Sequence, residues 1–113
     1  GQYAREAFIN LGNWDAVSAK LSLGNNVTEV LNWVAGAGAE VGIVYATDAA
    51  TTNQVEVIAE LPEGLLANPV VYPVGRLAAA GSPGEAAAFL EFLKSPEALA
   101  IFGAYGFSPY PGP

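Results

Sequence analysis

The chain has 113 residues, 52% of them hydrophobic, with eleven acidic and four basic side chains and a net charge of −7. Cysteine and histidine are both absent, which excludes disulfides, thiol catalysis, zinc–thiolate sites and the commonest general base. The length suits one modest domain with its own core, no apolar run reaches the roughly 20 residues of a membrane helix, and the scattered Arg5, Lys20, Arg76 and Lys94 form no basic patch for nucleic acid.

The chain opens at Gly1 directly on a helical pattern, and it is expected to be a piece of something longer. Tyr3 to Leu11 places Ala4, Ala7, Phe8 and Leu11 at helical spacing, and Gly12 is a natural stop. Trp14 and Val17 read as a second short turn or helix, and Lys20 to Leu23 as a possible short strand. After the Gly24-Asn25-Asn26 loop, Asn26 can cap a helix over Val27 to Ala35, with Glu29 three residues on in the manner of a capping box. Val27, Val30, Leu31 and Val34 give that helix one apolar face, and Gly36-Ala37-Gly38 ends it.

Val41 to Ala46 is a continuous apolar run that reads as a buried strand. Thr47 and Asp48 follow as a turn or short helix, and Val55 to Leu61 alternates as a half-buried strand does. Val70 to Leu77 is strand-like, but Pro73 confines it to an edge or a crossover. Ser82-Pro83-Gly84-Glu85 starts a helix running to about Leu93, and Ser95-Pro96-Glu97 starts another ending near Gly103. The tail from Phe107 to Pro113 is proline-rich and expected to be extended. Alternating helices and strands make this an α/β pattern.

Two places can carry chemistry. The helix at Val27 presents free N–H groups and the positive end of its dipole, which attract oxyanions; equally, Asn26 can simply cap a structural helix. Tyr45 stands near the end of a strand-like run, where ligands of open α/β sheets bind, and its hydroxyl can donate to an anion; equally, it can be a packed tyrosine satisfied by backbone. Glu56 and Glu60 are no catalytic pair, and Asp48 reads as a turn residue. With no convincing carboxylate pair, an enzyme is disfavoured.

The stretches GQYAREAFINLGNWDAV, NNVTEVLNWV, AEVGIVYATDA, VVYPVGRL and FLEFLKSPEALAIFGAYGF together resemble the C-terminal half of the periplasmic molybdate-binding proteins of ABC importers. The resemblance implies part of a type 2 periplasmic-binding fold, in which each of two lobes is a sheet flanked by helices. Residues 1–70 would be the C-terminal part of the second lobe. Residues 71–113 would hold the crossover and C-terminal helices of the first lobe, with the Val70–Val74 crossover as hinge.

The resemblance also implies a function: capture of molybdate or tungstate by hydrogen bonds in the interlobe cleft, with no cofactor and no free metal cation. Val27 would contribute its backbone N–H and Tyr45 its hydroxyl. The family's two serine ligands and the alanine N–H of its Pro-Ala-Gly turn would lie outside this chain. The implied partners are a membrane permease and either the missing N-terminal segment or a second copy of the chain. The implied location is the periplasm, or outside the cell on a membrane anchor. The alternative is the ligand-sensing domain of a transcriptional regulator with the same fold.

Overall fold

The computed structural model describes residues 1–112, with the side chain of Glu63 left aside. The chain divides into two compact units, Gly1–Pro69 and Val70–Pro113.

The first unit begins with α1 (Gln2–Leu11). Gly12 ends it in the left-handed conformation, φ 78°, where a Cβ would be strained, and its N–H returns to the carbonyls of Phe8 and Ile9. The chain then turns into the short α2 (Trp14–Ser18), which packs on α1, and the Arg5 guanidinium lies 5.6 Å from the Trp14 ring centroid. A 3-10 turn at Glu63–Leu65 also packs on α1. It is tied by Asn10 Nδ2 donating to the Leu65 carbonyl at 2.6 Å and by the Ala67 N–H donating to Glu6 Oε1 at 2.6 Å. Ala7 is fully enclosed at this junction, a place where a small side chain lets backbone elements approach.

The next helix, α3 (Val27–Ala35), has the bounds its periodicity predicts. It buries Leu31 on its apolar face. Its end is a tight reversal in which the Gly38 N–H reaches the Trp33 carbonyl at 2.7 Å while Ala37 takes φ 59°. Val41 to Val44 follows as irregular chain, and α4 (Ala46–Ala49) packs back on α3.

The second unit holds α5 (Pro83–Leu93) and α6 (Pro96–Ala104), which pack on each other. Both start on proline at the first helical position. Ser95 caps α6 by accepting from the Ala98 N–H. Ser82 makes no such bond: its backbone, at φ −129° and ψ 73°, is turned away from the usual capping conformation. Beyond α6, Gly106 at φ 91° lets the Phe107 N–H return to the Phe102 carbonyl. That fold-back sets Phe107 edge-on to both Phe102 and Tyr72, with centroids 6.2 and 5.5 Å away. Past Phe107 the chain is irregular as far as Gly112, and Pro113 lies outside the described residues.

The sheet expected of an α/β fold is not seen. Among the described residues there is no strand, although Lys20–Leu23, Val41–Ala46, Val55–Leu61 and Val70–Leu77 read as strands. The reason is a missing ladder: a strand exists only as one side of a hydrogen-bonded pair, and no backbone hydrogen bond joins residues 41–44, 55–61 or 70–76 to another described segment. Ala46 itself opens α4. The side chains meant for a core are correspondingly exposed, Ile58 at 76% and Leu77 at 78%.

The accessible surface is 8921 Å². Two separate compact bodies of these sizes would expose about 7,000 Å² between them. The core is correspondingly small: the buried hydrophobic residues among those described are Ala7, Leu31 and Ala98.

Candidate functional site

The candidate site is built on α3. Asn26, extended at φ −159° and ψ 170°, turns its side chain over the helix start, and its Oδ1 accepts from the Glu29 N–H at 2.8 Å. Glu29 reaches back, as the capping-box pattern predicts, but one residue further than that pattern places it. Its Oε2 accepts from the Asn25 N–H at 2.6 Å. The Val30 N–H takes the Asn26 carbonyl. Among the described residues, the N–H groups of Val27 and Thr28 have no acceptor. They are the donors that the first turn of a helix cannot satisfy internally, and Val27 is half-buried whereas Thr28 is exposed.

Tyr45 is half-buried and caps α4. Its backbone is held twice: its carbonyl accepts from the Asp48 and Ala49 N–H groups at 3.0 and 3.2 Å, and its N–H donates to Asp48 Oδ2 at 3.1 Å. Asp48 thus does more than occupy a turn. It fixes the backbone from which the Tyr45 ring projects.

Gly42 and α4, on either side of Tyr45 in the chain, both pack on α3. Gly42 lies directly over the helix, where a Cβ would come within 2.9 Å of both Val30 Cγ1 and Val34 Cγ2. The reversal after α3 sends the chain back along that helix. Extended chain advances about 3.3 Å per residue and a helix about 1.5 Å. Three residues of extended chain therefore span about 10 Å past Gly42.

Glu56 and Glu60 stand on exposed irregular chain, as does the 20–23 segment. Among the described residues no group of His, Cys, Asp and Glu could hold a metal ion, and no helix is long and apolar enough to cross a membrane.

Comparison with known proteins places the chain in a family. Residues 1–108 match the family model of the bacterial extracellular solute-binding proteins. The chain is 40% identical to a molybdate-binding protein of Haemophilus influenzae over 96% of its own length and 42% of that protein. It is 39% identical to a molybdate-binding protein of Escherichia coli over 96% of its length and 41% of that protein. It is 35% identical, with 96% and 41% coverage, to a Bacillus subtilis protein named provisionally as an ABC transporter substrate-binding lipoprotein, YvgL. The chain thus spans about two fifths of the length of these relatives. It belongs to the bacterial extracellular solute-binding proteins.

Proposed function

We propose that this chain is the C-terminal part of the substrate-binding component of an ABC importer and that it contributes two donors to a molybdate or tungstate site. The observation that supports the reading is the start of α3, where the half-buried Val27 has an N–H with no acceptor among the described residues, on the helix that Gly42 packs against further along. The Val27 N–H and the Tyr45 hydroxyl are uncharged donors. They can replace the hydration of a dianion without a lysine or arginine, which suits a chain whose net charge is −7.

The proposed cycle is reversible capture. The oxyanion enters an open cleft between two lobes, N–H and O–H dipoles replace its water shell, and the lobes close over it. The closed form docks on the membrane permease. Residues 1–70 belong to the second lobe in this reading and residues 71–113 to the first. The remaining donors come from a segment outside this chain. That segment, or failing it a second copy, supplies the strands that pair with Val41–Val44 and Val55–Leu61. The protein works outside the cytoplasm, with molybdenum entering as cargo and no resident cofactor.

Calorimetric titration of the full-length binding protein with molybdate, tungstate and sulfate tests this. Molybdate and tungstate, nearly equal in size, are expected to bind with similar affinity and sulfate much more weakly. Binding of sulfate alone would overturn the assignment.

A further inference from the structure

The side chain of Val30 touches two glycines that belong to different parts of the proposed site. On one side, a Cβ at Gly24 would come 2.8 Å from Val30 Cγ2, with the Asn26 carbonyl oxygen at 3.3 Å and Glu29 Oε2 at 3.5 Å. On the other, a Cβ at Gly42 would come 2.9 Å from Val30 Cγ1. Each methyl of this valine therefore occupies the space that a side chain would need. Gly24 begins the loop that delivers Asn26 and the Val27 N–H. Gly42 begins the run that ends at Tyr45. A valine inside a helix is held almost entirely in one χ1 rotamer, so the directions of its two methyls are fixed relative to the axis of α3.

We infer that Val30 is a positioning residue for the oxyanion site, holding against α3 both the Gly24 loop that leads into the Val27 N–H and the Gly42 chain that leads to Tyr45. The inference rests on the function proposed above. A general packing role needs only apolar bulk at position 30. The positioning role needs two γ atoms on one β carbon, because one methyl bears on the loop and the other on the returning chain. This separates Val30 from Leu31, which is the more buried of the two but lies in the core, and from Val34, whose Cγ2 meets Gly42 alone.

The test uses Val30→Ala, Val30→Leu and Val30→Thr in the full-length protein. Two readouts are taken: the amide signal of Val27 and the ring signals of Tyr45 in ligand-free nuclear magnetic resonance spectra, and the affinity for molybdate. Val30→Thr keeps the branched shape and is expected to leave both signals in place and the affinity within about threefold. Val30→Ala removes both γ atoms and Val30→Leu keeps the bulk without the second γ position. Each is expected to shift both signals and to weaken molybdate about tenfold or more, since donors displaced by about 0.5 Å lose productive geometry. Should Val30→Ala fail to fold, Val30→Leu carries the comparison, because its bulk preserves the apolar contact.

If Val30→Leu leaves either donor's signal unmoved, or if Val30→Thr weakens binding as much as Val30→Leu, the positioning role is wrong. The spectra need no ligand. A wild-type protein that takes up no molybdate therefore refutes the proposed function, while coincident shifts at Val27 and Tyr45 still decide whether Val30 links the two segments.

Discussion

Asn26→Asp separates a helix cap from an anion site more sharply than any deletion does. Asn26 Oδ1 holds the Glu29 N–H at 2.8 Å, and an aspartate carboxylate at the same place accepts the same bond. Asp and Asn are equally good caps, and a negative charge at a helix start adds about 0.3–1 kcal/mol. The unfolding midpoint of the variant should therefore hold or rise slightly. Binding should move the other way. An oxyanion on the Val27 N–H would lie roughly 6 Å from that carboxylate, and a dianion and a monoanion at this distance repel by about 1.4 kcal/mol at a dielectric constant near 80 and about 3 kcal/mol near 40. Molybdate affinity should fall about 10- to 100-fold, measured by calorimetry on the full-length protein with thermal unfolding run beside it. Asn26→Ala should instead lose about 1 kcal/mol of stability. If Asn26→Asp binds molybdate as wild type does while keeping its stability, the start of α3 is a capped helix and nothing more.

Three further outcomes are expected. Tyr45→Phe should weaken molybdate by about 1–3 kcal/mol, the cost of losing a hydrogen bond to a charged group, and an unchanged calorimetric affinity would return Tyr45 to a packing role. Phe107→Leu keeps an apolar side chain but removes both edge-on contacts, to Tyr72 and Phe102; at about 0.5–1.5 kcal/mol per aromatic pair, denaturant unfolding of the chain should show a loss of about 1–3 kcal/mol, whereas a variant as stable as wild type would show that these rings do not anchor the tail. The isolated chain carries roughly 2,000 Å² of surface beyond that of compact bodies of its size, more than the roughly 800 Å² that each partner gives to a standard interface. Sedimentation velocity should accordingly find it self-associated or, with the rest of the binding protein added, in a complex; a compact monomer that ignores the added segment would refute the proposed pairing.

The helices were legible because their determinants are local. The period of Val27, Val30, Leu31 and Val34, the Asn26 cap and the glycines after Ala35 all act within a few residues, and α3 spans Val27–Ala35 as they predict. The same holds for α5, where Pro83 sets the start. Strands are a different kind of object. Val41–Val44 and Val55–Leu61 carry the apolar pattern of strands, but a pattern only says which face would be buried if a partner ran alongside. With no partner among the described residues the backbone stays irregular, and Val57 is left 55% exposed.

The site shows the same division between local and non-local causes. The open N–H of Val27 was legible because the first turn of any helix leaves its N–H groups without an internal acceptor. Asp48 was not, since a Thr-Asp pair in a turn has many uses, and only the structure shows its carboxylate on the Tyr45 N–H. Gly42 did carry a signal: a glycine inside a strand-like run marks a place where another chain comes close. The sequence could not say what comes close. The answer, Val30 and Val34 of α3, turns that glycine from a gap in an apolar run into the point where the chain leading to Tyr45 closes on the helix.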